Sequence, residues 1–493
     1  MNHPTRSLLA VLLGVLLFDF LFWQEKMGVN CLLFALFFVT ALAVLFPENR
    51  FSRPFLWTAG GTILTAAMIA WHNSGAAKFA FMLSAMTAAG FAQATGFRFV
   101  LHAFLQYLGN FSIVPGKIVR GLRSKSGENP TQKGRKNWRT WVGLSFVPAL
   151  VVCVFYLIYY LANEKFAALS DSFWGQIGRW LSFDISLAHV FFVIFAIFVV
   201  GAGFFRRIFP ILEKKKEAAD FLTRVRLAPT KSRIARNWLV GLAREYRQSL
   251  VLLGLLNALL LLVNLTDIVY VWFGFEEMSA TALKQYVHEG TYFLIASILL
   301  AMFVTFRIFR KNLNFYPKNT LLKQLSLAWL IQNGILACSV AVRNWRYIDN
   351  YALAYKRIGV FLFLILVAVG LLTLWLKIRD RRSLSWLWRQ NSWAFYALLI
   401  GNALVPWDTF ITRHNLAFPP KSGIDIGFLI FDVSDKNLRI LEENKAILVE
   451  KQNGTQISAD RIESALNEKR AQFERAQNGL SWKSWNAADA ANK

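Results

Sequence analysis

The residues with chemical potential are concentrated in the second half of the chain. Asn257, Asn264 and Asp267 are separated by seven and three positions, a spacing that keeps them on one helical stripe. Further on come His288-Glu289 and Gln332-Asn333, and then the segment RNWRYIDNYALAYKRIG. That segment supplies Arg343, Asn344, Arg346, Tyr347, Asp349, Tyr351, Tyr355, Lys356 and Arg357. Carboxylates, cations and tyrosines gathered in this way would bind an anionic or zwitterionic ligand. Alternatively, they would neutralise one another as a charge-paired plug, with Glu25, Asp267, Glu276, Glu277 and Glu289 compensating the bases. Asp19, inside the first apolar run, would serve a proton or cation relay, or be tethered to the Glu25-Lys26 turn or to lipid headgroups.

Enzymatic chemistry has no visible site. The nearest approach to a phosphate-binding loop, GNFSIVPGKI at 109–118, places six residues between its glycines where four are needed, and Ile118 where Ser or Thr would hold magnesium. HExxH, GxSxG and GxGxxG are absent from the sequence. Cys31, Cys153 and Cys338 each lie in a separate apolar run, which argues against a disulfide framework, a CxxC pair or a cysteine zinc site. No catalytic residue, metal or cofactor is therefore expected.

The elements that must position these residues are membrane helices. A hydrophobic share of 56% and a mean hydropathy of +0.39 exceed those of soluble domains, and the apolar residues fall in long runs. A bilayer core takes about 20 apolar residues per helix. That rule yields about eleven spans, near 7–23, 29–46, 55–72, 78–96, 140–162, 187–206, 248–273, 289–306, 321–342, 358–376 and 391–407. The first resembles a secretory signal but has no small-residue cleavage site, so it reads as a retained helix. Residues 97–115, interrupted by Arg98, His102, Gln106 and Asn110, suit an interfacial helix. Ser84, Ala88, Ala92 and Gly96 in span four, with Gly60-Gly61 in span three, mark faces for close helix packing.

The chain thus divides into a four-helix membrane region with its interfacial segment (1–115), a basic loop (116–139), a helix pair (140–206), a second basic loop (207–247), a five-helix membrane region (248–407) and a soluble tail domain (408–493). Orientation follows from Lys and Arg, which cytoplasmic loops retain. With the amino terminus inside, 34 of the 55 basic residues fall on the inner side, 9 in the outer loops and the rest in the tail, which lands outside. The net charge of +26 is thereby cytoplasmic, suited to anionic lipid at the basic loops and not to nucleic acid. In the tail, Ser434 opens a polar helix SDKNLRILEENKAIL. Ser458 opens a second, with Ile462, Ala465 and Phe473 on one face and Gly479 past its end, and Trp482 and Trp485 are placed at the membrane surface.

WQEKMGVNCLLF at 23–34, LLNALLLLVNLTDIVYVWFG at 255–274, YVHEGTYFLIASILLA at 286–301 and RNWRYIDNYALAYKRIGVFLF at 343–363 resemble an uncharacterised bacterial family of multi-span membrane proteins, a domain of unknown function. The resemblance spans most of 7–410 and implies a bacterial cytoplasmic membrane, with no activity to carry over.

The expected fold is an all-α polytopic bundle with a small helical tail domain. One function class is transport or binding of a small ligand, with Glu25, Asn264, Asp267, Glu289, Arg343, Asn344, Tyr347, Asp349, Tyr351, Lys356 and Arg357 as candidate contacts. The other is a non-enzymatic scaffold that meets the bilayer, and a protein partner through residues 408–493. A membrane-embedded transferase is a third, requiring an unpaired carboxylate such as Asp267, Glu289 or Asp349. The sequence has no internal repeat, which argues against the large secondary-transporter folds.

Overall fold

The computed structural model describes residues 3–123, 163–181, 186–209, 220–224, 242–273, 280–310, 312–451 and 458–493, with isolated positions between 152 and 162. These residues are almost entirely helical, with one isolated bridge between Phe221 and Arg382. They divide into two units, one of residues 1–216 with 479–487, the other of residues 217–478 with 488–493.

The first unit contains α1 (His3–Phe22), α2 (Val29–Leu45), α3 (Arg53–His72), α4 (Gly75–Gln93), α5 (Val100–Phe111), α6 (Val114–Arg123), α7 (Glu164–Leu181) and α8 (Leu187–Phe204). Ser74 caps α4 by accepting from the Ala77 amide, and Asn73 ends α3 in the left-handed region at φ 49°, so two residues suffice to reverse the chain. Ser84, Ala88 and Ala92 are buried, as their spacing predicts, and so is Gly61, but Gly96 lies past the end of α4 in an exposed turn at φ 79° and Gly60 is exposed, so neither belongs to a packing face. Gly90 marks the closest approach: a Cβ there would lie 1.9 Å from the Ala103 carbonyl oxygen, so α4 and α5 meet backbone to backbone. The segment expected at 97–115 forms α5 and the start of α6 and is anchored on the bundle by buried Gln106, Tyr107 and Asn110.

The second unit contains α9 (Leu242–Asp267), α10 (Ala280–Ile308), α11 (Thr320–Tyr351), α12 (Tyr355–Arg379) and α13 (Leu384–Ala403), then α14 (Trp407–Ala417) and the helices of the tail. α9 has the inverted pattern of a lipid-facing helix. Ser249, Leu253, Asn257, Leu260, Asn264 and Asp267 form its buried stripe, while Leu255, Leu259, Leu262 and Leu265 are at least half exposed. In water this arrangement would expose a large apolar area and bury the amides; in lipid it is the favourable one.

Among the described residues, six helices are long and apolar enough to cross a membrane: 5–22, 53–72, 75–93, 242–273, 320–351 and 355–379. The pair α13–α14 makes a seventh when counted as one span bent by 65°, and 29–45, 188–204 and 292–308 are shorter apolar helices. The protein is a multi-pass membrane protein by the length and composition of these helices. The span expected at 140–162 lies largely outside the described residues.

In the tail, Ser434 caps as expected, but its side chain accepts from Lys436, and the single helix anticipated after it is broken at Asn444 into α15 (Leu438–Glu443) and α16 (Lys445–Glu450). Asn444 takes Leu441 as its amide acceptor and turns its side chain back to Ile440, which ends the first helix. α17 (Ala459–Gln477) follows, and Gly479 past its end has φ 80°. Lys469 on α17 is buried and donates to three carbonyls, Leu429 (3.2 Å), Ile430 (2.8 Å) and Val433 (2.9 Å). Burial pushes its pKa down to about 8, against the pull of Asp435 and Asp408.

Candidate functional site

The polar residues of α9 and α11 meet along one seam. Asn257 accepts from Gln332 Nε2 (2.8 Å) and donates to the Leu253 (2.7 Å) and Leu325 (3.1 Å) carbonyls. About two turns on, Asn264 donates to the Gln332 carbonyl (3.0 Å). At the end of the stripe the Arg343 Nη2 atom lies 2.5 Å from Asp267 Oδ1, with both side chains under 10% exposed. The backbone then widens into a π-helical turn, Ile268–Phe273, which carries Trp272 to the Ser339 hydroxyl (3.0 Å). Such a pair lets two charges stay among apolar helices, because each removes most of the other's desolvation cost. Asp267 Oδ2 and Asn264 Oδ1 are buried and accept no hydrogen bond among the described residues.

The segment 343–357 is mostly helix. α11 runs 32 residues, about 48 Å at 1.5 Å per residue, well over the ~30 Å of a bilayer core, so the helix is longer than the apolar layer. Only Ala352–Ala354 separate it from α12, and Ala352 has φ 76°. Arg357 holds this turn. It donates to the Tyr351 carbonyl (2.7 Å) and to that of Ala352, and its guanidinium lies 4.4 Å from the Tyr347 ring centre, beside Tyr351. A cation on the last carbonyls of a helix also complements its dipole. Asn344 donates to the Arg357 carbonyl (3.0 Å). The side chains of Asp349 and Lys356 are exposed.

The tail closes on this turn. Lys421 donates its amide to the Asp349 carbonyl (3.0 Å), and Asn415 exchanges two hydrogen bonds with Leu353 (2.7 and 3.0 Å). Asp408 joins the Tyr355 and Ser434 hydroxyls. A single apolar core runs from Ile348, Leu353 and Ile358 through Ile411 and Leu429 to Leu441, Ile462 and Leu466. The side chain of Glu289 lies outside the described residues.

Glu25 belongs to the first unit and is bonded to the chain's carboxy-terminal segment. It accepts from the Ser481 hydroxyl (2.5 Å), the Ser481 amide (3.2 Å) and the Ser484 hydroxyl (2.5 Å), with Lys483 Nζ 3.3 Å away. Burial raises its pKa, but these donors outweigh burial and leave the carboxyl below its ordinary value. The Val29 amide donates to the Trp485 carbonyl (2.9 Å), and a Cβ on Gly28 would lie 2.5 Å from the Ser484 carbonyl oxygen. The motif WQEKMGVN is thus a seat for residues 481–485, and only glycine fits at its tightest point. Trp482 and Trp485 remain more than half exposed, and Lys483 between them donates to the Phe20 carbonyl (2.9 Å). Asp19 pairs with His189 Nε2 (2.7 Å), on which Trp23 stacks at 4.2 Å; the tether expected at the Glu25-Lys26 turn is instead a helix-to-helix pair.

Two polar groups were not singled out by the sequence. Gln93 donates to the Ala202 and Gly203 carbonyls (2.7 Å each), Asn110 to Gln93 and to Phe205 (3.2 Å), Gln106 to Arg207 and Tyr107 to Val199 (2.9 Å). Together they satisfy the carbonyls at the end of α8. Lys377, fully buried, does the same for α10 through Phe309 (2.9 Å). The available signal for the first group was the four-residue spacing of Gln106 and Asn110.

No curated protein and no solved structure matches the chain. The chain belongs to the family described as Domain of unknown function (DUF4153), which matches residues 8–444.

Proposed function

We propose that this protein is a non-enzymatic platform of the bacterial cytoplasmic membrane, oriented with its amino terminus inside, that holds the helical domain after α14 on the outer face for a protein partner. The observation that carries this reading is the use made of the candidate residues. Arg357, Asn344 and Asn415 fix the α11–α12 turn, and the turn's apolar residues are continuous with the core of the tail domain. A ligand site would need these groups turned toward open space, and here they are spent on backbone carbonyls.

The test is cysteine accessibility in a full chain with Cys31, Cys153 and Cys338 replaced by Ala. Ser464→Cys, exposed on α17, is expected to react with a membrane-impermeant maleimide in intact spheroplasts, and Asn264→Cys to resist a small thiol reagent. Protection of Ser464→Cys until lysis would reverse the orientation. Rapid modification of Asn264→Cys would replace the platform with the second reading, binding of a small polar ligand in the α9–α11 seam. That reading is favoured by the buried Asp267 and Asn264 oxygens that accept no bond.

A further inference from the structure

A groove of about 270 Å³ opens between the start of α11 and the end of α12, lined by Thr320, Lys323, Gln324, Leu327, Trp375, Ile378 and Arg379. Its chemistry is divided. Leu327, Trp375 and Ile378 make an apolar wall. At the mouth are two cations, Lys323 and Arg379, and a third, Arg381, is the charged group felt by Lys323. Arg379 pairs with Asp380 (2.7 Å) while its guanidinium lies 4.6 Å from the Trp375 ring centre. Lys323 forms no ion pair with an acid among the described residues. The start of α11 adds to the positive field. Asn319 occupies the cap position but sends its side-chain amide to the Leu313 (3.3 Å) and Asn314 (2.9 Å) carbonyls and makes no cap bond, so it leaves the first-turn amides of α11 uncapped by a side chain.

We infer that this groove is a binding site for an anionic glycerophospholipid, its phosphate between Lys323 and the first turn of α11 and its glycerol and upper acyl carbons against Trp375, Ile378 and Leu327. Three features independent of one another converge on this class: a lysine with no ion pair to an acid among the described residues, a helix start uncapped by a side chain and an adjoining apolar wall. A soluble phosphate or nucleotide would use the first two and gain nothing from the third. The site also sits at the ends of two helices apolar enough to span a bilayer. It falls on the side that the Lys and Arg distribution assigns to the cytoplasm, where anionic lipid attracts basic residues by ~1 kcal/mol each, about fivefold in binding.

The experiment is native mass spectrometry of the detergent-purified full chain, titrated with dimyristoyl phosphatidylglycerol or dimyristoyl phosphatidylcholine. One phosphatidylglycerol is expected to bind in preference to phosphatidylcholine. Lys323→Gln is expected to lower that occupancy about fivefold, while Lys323→Arg retains it and Arg244→Gln, a cation removed elsewhere, leaves it unchanged. A melting curve for each variant separates lost binding from lost folding, and if Lys323→Gln unfolds, Trp375→Ala reads the apolar wall instead. Equal binding of the two lipids, or an equal loss in Arg244→Gln, would overturn the proposal in favour of diffuse surface attraction. Displacement by millimolar inorganic phosphate would overturn it in favour of a soluble anion.

Discussion

The two units meet the same problem, a helix that ends among apolar neighbours with unpaired carbonyls, and solve it with different chemistry. In the first unit neutral amides and a phenol do the work: Gln93, Gln106, Asn110 and Tyr107 satisfy the end of α8. In the second, charged donors join the neutral ones: Lys377 shares the Phe309 carbonyl at the end of α10 with Asn314, Arg357 holds the end of α11, and Arg343 pairs with Asp267. A neutral amide is cheap to bury and loses one or two bonds when removed. A buried charge is tolerable only while its partner remains, so the loss of one partner is the more consequential change in the second unit.

The largest effect should come from splitting the Asp267–Arg343 pair. Arg343→Met leaves a carboxylate stranded among apolar helices and is expected to cost about 3–5 kcal/mol in detergent unfolding. The double variant Asp267→Leu with Arg343→Met should recover most of that loss, and failure to recover would mean that the pair serves something besides mutual neutralisation. In the first unit, Gly90→Val forces a side chain against the Ala103 carbonyl and is expected to cost about 1–3 kcal/mol by overpacking, read by the same unfolding assay. A Gly90→Val chain as stable as the parent would show that α4 and α5 separate freely. Gln93→Leu should be comparable or milder, about 1–3 kcal/mol, because two carbonyls lose a neutral donor. If it cost more than Arg343→Met, the contrast between neutral and charged solutions would collapse.

Two pH effects refine the comparison outside the membrane helices. Lys469 holds its proton less tightly folded, at about 8, than unfolded, near 10.5, so between those values the unfolded chain carries the extra proton. Its contribution to tail stability therefore rises as pH increases from about 8 to 10.5, and Lys469→Met should flatten that part of the curve in a comparison of pH-dependent melting. Glu25 has the opposite sign. Its pKa is depressed by the Ser481 and Ser484 donors, so its contribution is present above the ordinary carboxylate value and is lost as pH falls through the folded one. Limited proteolysis near residue 480 should accelerate at acid pH and in Glu25→Gln, and unchanged cleavage would mean that the Val29 and Lys26 contacts suffice to seat the segment.

The helices themselves were legible because their signal is local. Long apolar runs and the stripe Asn257–Asn264–Asp267 depend on neighbours within a few turns. The candidate site was legible as a set of residues but not as an arrangement. Nothing within 343–357 says that Arg357 turns back onto Tyr351 or that Asn415, 62 residues on from Leu353, completes the turn. Glu25 was grouped with the second-half cluster on charge alone, whereas its partners lie more than 450 residues away in sequence.

The sequence by itself determined that this is an all-helical chain built for lipid, with its cations concentrated in particular loops and its small residues spaced for close packing. Hydropathy and charge are properties of a segment and its solvent, so they survive without a fold. The tertiary structure decided the pairing: Asp267 with Arg343, Asp19 with His189, Glu25 with Ser481 and Ser484, and Gln93 with the end of α8. A donor's choice among distant acceptors is fixed only when packing brings one of them within about 3 Å and excludes water from the rest.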